Sequence, residues 1–134
     1  MQNPNDLTVY EYSAELAVAV YRFTEHFPSH ERFGLTSQMR RGVVSIGSNI
    51  AEGCGRWGNR EFLHYLQMSY SAGCELAFQL TIATKLEFGI PADREDVVRR
   101  TDRIQRMLNR LMVAKRASRH DARRRPGDDT PPAR

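Results

Sequence analysis

Four stretches of this chain place an apolar residue every three or four positions, and the first three are cut off by proline or glycine. That spacing follows one face of an α-helix, so the pattern dictates helices with a buried stripe and leaves little room for strands. The first seam, over Leu7–His26, is Val9, Leu16, Val20, Phe23 and Phe27, with Ser13 filling the remaining step. Pro28 lacks an N–H and disfavours helix at the residue before it, so the helix is expected to stop there. The second begins at Thr36 or Ser37, either of which can cap free N–H groups, and runs along Met39, Val43, Ile46 and Ile50, with Val44 and Ala51 widening it. Gly53 is its expected left-handed stop. The third follows Asn59 as N-cap and continues through Phe62, Leu66, Ser69, Gly73, Leu76, Leu80 and Ala83. Gly89 and Pro91 end it. The fourth spans Ala92–Ala117 on Val97, Thr101, Ile104, Leu108 and Leu111. Short links between long amphipathic helices predict an all-α, antiparallel up-and-down four-helix bundle.

Helix three carries a second apolar set: Leu63, Tyr70, Ala77 and Leu86, with Phe78 and Ile82. A helix that is apolar on two faces must bury two faces, which predicts self-association. Gly42 and Gly47, inside helix two, predict close approach of a neighbouring backbone.

With 134 residues, 40% hydrophobic and 27% charged, the chain fits one soluble domain with a real core. Residues 1–117 are read as that domain. Residues 118–134 (SRHDARRRPGDDTPPAR) lack apolar periodicity and are read as a disordered tail. No apolar run reaches the length of a membrane span, and the first residues do not form a signal peptide. Cys54 and Cys74 are expected to be reduced thiols. These features predict a cytoplasmic protein.

Charge is unevenly distributed. Residues 1–90 hold 7 Lys+Arg against 9 Asp+Glu, whereas residues 91–134 hold 13 against 7. The basic excess thus belongs to helix four and the tail, where it points to an acidic partner such as nucleic acid. Arg99, Arg103, Arg106, Arg110, Arg116, Arg123, Arg124 and Arg125 are the expected phosphate contacts. No aromatic residue is interleaved with them, so base reading is not expected there.

The segment Phe33–Arg56 is the other candidate site. Arg41, Ser45, Asn49 and Glu52 follow one another at three or four residues, so they form a polar stripe opposite the Met39–Ile50 seam. Two uses are open. Arg40, Arg41 and Arg56 could meet phosphate with Asn49 and Glu52 ordering them. Alternatively, Arg40 or Arg41 pairs with a carboxylate across a contact between copies, while Asn49 and Glu52 satisfy helix ends. Gly53-Cys54-Gly55-Arg56-Trp57-Gly58 fits G-x-G-x-x-G, but it follows a helix rather than a strand, so a tight turn is expected, with Trp57 covering an apolar edge. Arg56 near Cys54 would lower the thiol pKa, but no base is placed beside it. His26 and His30 are separated by Pro28, and His64 and His120 are scattered, so no metal, cofactor or catalytic residue is expected.

Several of these pieces, VYRFTEHFP, FGLTSQMRRGVVSIGSNIAEGCGR, EFLHYL and ELAFQL, carry a resemblance. Over most of residues 7–90 the chain resembles the four-helix-bundle family encoded in intervening sequences of bacterial large-subunit ribosomal RNA genes. More distantly, it is similar to the accessory variability protein of diversity-generating retroelements. Arg40, Arg41, Asn49, Glu52, Gly53 and Arg56 match the family signature. Gly47 stands where the family often has proline, and Ser71-Ala72 stand where it often has Gly-Ser. The resemblance implies an antiparallel four-helix protomer in a homopentameric ring, with no catalytic residues. For the retroelement relative it implies nucleic-acid binding and partnership with a reverse transcriptase. The expected function is therefore a non-enzymatic scaffold binding RNA or DNA through backbone electrostatics. The rivals are a protein-interaction module and a nuclease, the latter lacking a carboxylate cluster.

Overall fold

The computed structural model describes residues 4–123. It consists of four helices, α1 (Pro4–Glu25), α2 (Leu35–Cys54), α3 (Asn59–Lys85) and α4 (Pro91–Arg123), with one 3₁₀ turn at Ser29–Glu31. No strand occurs among the described residues. Helices pack in a cycle, α1 on α2, α2 on α3, α3 on α4 and α4 on α1, and among the described residues the backbones of the diagonal pairs stay apart.

Cross-helix contacts fix the direction of every neighbour. Along α1 and α2, Thr24 meets Arg40 and Ser13 meets Gly47. Along α2 and α3, Ile46 meets Ser69 and Gly53 meets Phe62. Along α3 and α4, Tyr70 meets Gln105 and Phe62 meets Lys115, and along α1 and α4, Glu15 meets Arg100 and Asp6 meets Lys115. One number rises as the other falls in each pair, so all four neighbours are antiparallel.

All four predicted seams are buried. Phe23, Leu16, Met39, Ile46, Ile50, Phe62, Leu66, Leu76, Ile104 and Leu108 are at most 1% exposed. Each fully buried large side chain contributes about 1.5–3 kcal/mol relative to exposure. The seam's hydroxyls are satisfied locally or across the core. Ser13 donates to the Tyr10 carbonyl, Thr101 to the Val97 carbonyl and Ser69 to the Ile46 carbonyl of α2 at 2.8 Å. The seams also extend by one polar step, because Asp6 on α1 and Lys115 on α4 are buried and their charges lie 3.9 Å apart.

Several expectations fail at the helix ends. α1 starts at Pro4, ahead of Leu7, although its end at Glu25 agrees with the expected stop before Pro28. Thr36 and Ser37 do not cap α2. It starts at Leu35, and the Glu31 carboxylate accepts from the Leu35 N–H at 2.9 Å, doing the cap's work from the preceding turn. Gly53 is not a left-handed stop. It lies inside α2, buried, where a Cβ would come within 3.0 Å of Tyr65 Cβ; the glycine lets α2 and α3 close together at their hairpin. The α2 terminus is right-handed at Gly55. Asn59 is the first residue of α3, not its cap, which is Gly58. At the end of α3 the left-handed residue is Glu87 (φ 57°), with Phe88 N–H bonded to the Ala83 carbonyl and Glu87 N–H to the Thr84 carbonyl. This paired closure satisfies the orphan carbonyls and turns Phe88 onto the core. Gly89 (φ 76°) follows, pressed against the Phe23 ring. Finally, α4 does not stop at Ala117 but continues helical to Arg123, into the segment read as a disordered tail.

Gly47 is accommodated without a break in α2, but it faces the Ser13 side chain of α1 and not the expected neighbouring backbone. Gly42 meets only ordinary contact. Val44 and Ala51 do not widen the α2 seam; both are exposed. The second face of α3 is split: Leu63 is buried and Tyr70 and Ile82 are half-buried, but Ala77, Phe78 and Leu86 face outward.

Candidate nucleic-acid interface

α2 and α4 lie on a diagonal of the bundle, so the two sets of candidate arginines occupy separate sides. Adjacent Arg40 and Arg41 also have different roles. Arg40 reaches across to α1, where its Nε donates to Thr24 Oγ1 at 2.9 Å and its guanidinium lies 4.7 Å from the Tyr21 ring centre. It also donates to the Tyr21 carbonyl in the last turn of α1, where the helix dipole favours a cation. Arg40 is thus a clamp within one protomer, and neither open use of the sequence describes it. Arg41 is exposed and makes no hydrogen bond or ion pair among the described residues.

The polar stripe on α2 is likewise self-contained. Asn49 donates to the Ser45 carbonyl at 2.8 Å and to the Ser45 hydroxyl, one turn back in the same helix, so it satisfies no helix end. Glu52 forms an ion pair with Arg56, whose guanidinium also donates to the Tyr65 hydroxyl at 3.0 Å. Arg56 therefore ties α2 to α3 beside the glycine contact. Its pKa is raised, first by the hydrogen bond to Glu52, a shift in a group already charged at every relevant pH.

On α4, Arg99, Arg103, Arg106 and Arg110 fall at i, i+4, i+7 and i+11 and make one outward stripe. Most of them have protein partners. Arg99 bonds Asp96 at 2.8 Å, and Arg106 pairs with Asp102. Arg103 stacks 3.8 Å from the Tyr12 ring centre and lies near Glu15, which Arg100 contacts at 3.1 Å. Arg110 and Arg116 are exposed and unpaired among the described residues. Exposed ion pairs are worth about 0–1 kcal/mol, so these guanidiniums can exchange a carboxylate for a phosphate at small cost. Arg123 ends α4; Arg124 and Arg125 lie outside the described residues.

The α2–α3 turn holds residues that sequence reasoning misjudged or missed. Trp57 covers no apolar edge: it is 99% exposed. Arg60, Tyr65 and His64 follow on α3, with Tyr65 under the Arg56 guanidinium (5.1 Å) and edge-on to His64 (5.5 Å). The signal available in the sequence was the tryptophan's place among three glycines. A second missed feature is on α1, where Leu7, Tyr10, Ala14, Ala17 and Tyr21 repeat the 3/4 spacing. Leu7, Tyr10 and Tyr21, with Val18 beside them, stand exposed.

Cys54 corrects another expectation. Its thiol pKa is raised, not lowered, chiefly by burial and then by the nearby Asp6 carboxylate. Among the described residues no cluster of three or more His, Cys, Asp or Glu side chains could hold a metal ion, and no helix is long and apolar enough to cross a membrane.

An all-α protomer of four antiparallel helices, with arginines and exposed aromatic residues on its surface, is the class that fold and surface define. The chain belongs to the 23S rRNA-intervening sequence protein family, whose model matches residues 5–110. Among solved structures it is similar to a crystal structure of a protein of unknown function from the S23 ribosomal protein family of Bacteroides thetaiotaomicron VPI-5482. The TM-score is 0.73 at 21% identity, covering 81% of this chain and 97% of that one, a likeness of fold. No curated protein matches the chain.

Proposed function

We propose that this protein is a non-enzymatic, cytoplasmic, oligomeric scaffold that binds RNA or DNA through its phosphate backbone. The observation that carries this reading is the outward arginine stripe of α4, where Arg99 and Arg106 keep 72% and 73% of their side chains exposed despite their acidic partners. Phosphates would compete for these guanidiniums, and release of counterions would drive the exchange. A nucleic-acid-processing enzyme, such as a reverse transcriptase, is the proposed protein partner, as the sequence resemblance to the retroelement accessory protein implies. Assembly as a homopentameric ring is part of the proposal. It is supported by exposed Leu7, Tyr10, Val18 and Tyr21 on α1 and Phe78 on α3, apolar surface that self-association would cover.

A salt titration of RNA affinity tests the binding. The logarithm of affinity should fall linearly with the logarithm of salt concentration. Arg99→Gln, Arg106→Gln and Arg110→Gln together should flatten the slope by about 2, at roughly 0.7 per phosphate on a single strand. No binding at low salt would overturn the reading. Light scattering tests the ring: the mass should be about five times 15.4 kDa, and a mass near 15.4 kDa refutes it.

A further inference from the structure

Trp57 sits at the tip of the α2–α3 turn, between Gly55 and Gly58, with 99% of its surface in water. It has no ring contact or hydrogen bond among the described residues. Tryptophan is highly buried on average, and leaving its indole in solvent forgoes the burial of a large apolar ring. The turn is open around it: a Cβ on the neighbouring Gly58 would meet nothing within 4 Å. The flat groups continue from there onto the start of α3: the Arg56 guanidinium over Tyr65, and Tyr65 against His64, with exposed Arg60 on the same groove.

The same end of the bundle is where α4 finishes. Lys115 is level with Asp6 near the start of α1 and with Phe62 near the start of α3. Eight more helical residues follow, from Arg116 to Arg123, rising about 12 Å. α1 begins at Pro4 and α3 at Asn59, so the start of α1, the α2–α3 turn and the end of α4 lie together. The basic last turns of α4 and an aromatic platform therefore share one end of the molecule.

We infer that this end is a single-strand contact site in which Trp57 stacks on an unpaired nucleobase while Arg60 and Arg116 meet the flanking phosphates. The inference rests on the proposed nucleic-acid reading and adds to it a form of nucleic acid and a stacking residue. An indole can stack on any base that is splayed out, but a duplex offers no free base face. Glu52 and Glu61 keep the local charge mixed. What this end adds to the α4 stripe is therefore the stacking surface rather than further charge.

Trp57 is the chain's one tryptophan, so its emission reports this site alone. The experiment titrates the full chain with a labelled oligouridine RNA, reading label anisotropy and Trp57 emission together, beside a duplex RNA of equal length. The single strand should quench Trp57 and the duplex should not. Trp57→Ala should weaken single-strand binding about fivefold or more, Trp57→Phe should restore part of it, and the salt slope should not change. Anisotropy that rises while Trp57 emission stays fixed and Trp57→Ala binds normally would overturn the inference and leave the phosphate reading standing. No anisotropy change at low salt would overturn both. An altered particle mass for Trp57→Ala would assign the indole to a contact between copies and likewise overturn the stacking site.

Discussion

The two ends of the bundle are built on opposite plans. Where α1 and α3 finish, the loops fold inward: Phe23 and Phe27 meet edge to face at 4.8 Å, and Phe27 meets Phe88 at 5.4 Å. Phe88 comes from the turn after α3, so this cluster joins two helices whose backbones stay apart. Gly89 lies so close to Phe23 that no side chain fits. Phe33 stands out on that rim, 87% exposed, with Arg32 over its ring, and Leu86 and Ile90 are exposed along the α3–α4 turn. At the other end the interior is ionic, Lys115 with Asp6, and the turn turns its one large aromatic outward. The contrast teaches that the loops of this fold need not do the same job. One pair closes the core, and the opposite turn is released from packing and free to present Trp57 to a partner.

Breaking the aromatic end should have the largest effect. Phe23→Ala removes a fully buried ring shared by two loops, and should cost about 3–5 kcal/mol in chemical denaturation. The ionic end should follow. Lys115→Ala leaves the buried Asp6 carboxylate short of its cation and uncovers the Phe62 face on which the ammonium sits at 4.7 Å. A loss of about 3 kcal/mol is expected from the same measurement. If Lys115→Ala proved as stable as the parent chain, the ionic end would be no part of the core.

The smallest effect concerns Cys54, which lies behind the Trp57 turn. A raised thiol pKa means that the folded state holds the proton more tightly than the unfolded chain. The corresponding stability is present below the ordinary thiol range, about 8.5, and is lost as pH climbs through the folded value. Alkylation at neutral pH should therefore modify exposed Cys74 first, with Cys54 reacting only as pH rises or the bundle opens. Mass spectrometry of the partly labelled chain reads the order directly. Equal labelling would show that the turn exposes the interior as well as its own rim.

Much of the core could be read from the chain because burial follows periodicity. Val9–Leu16–Phe23 on α1 and Val97–Ile104–Leu111 on α4 recur at heptad distance, and only one helix face can collect them. The outer seam of α1 shows the limit of that reasoning. Leu7, Tyr10, Ala14, Ala17 and Tyr21 have the same 3/4 spacing as the inner seam, and which seam faces the core depends on where α2 and α4 lie. The arginine site was half legible. The pairs Asp96–Arg99 and Asp102–Arg106 are visible at three and four residues, whereas the Arg103–Tyr12 stack and the Arg100–Glu15 bridge join positions far apart in the chain.

By itself, the sequence determined four amphipathic helices, their approximate limits, the residues of the core and a basic C-terminal third. These follow from local dihedral preference and from the cost of exposing a regular apolar face. Tertiary structure decided the rest. It separated Arg40, a clamp on α1, from Arg41, its solvent-facing neighbour, because a step of about 100° around the helix turns one toward α1 and the other away. It placed α2 and α4 on a diagonal, which keeps their arginines apart. It left Trp57 in water at the end where α4 finishes. Those distinctions depend on which surfaces meet across the bundle, and spacing along a single helix carries no information about its neighbours.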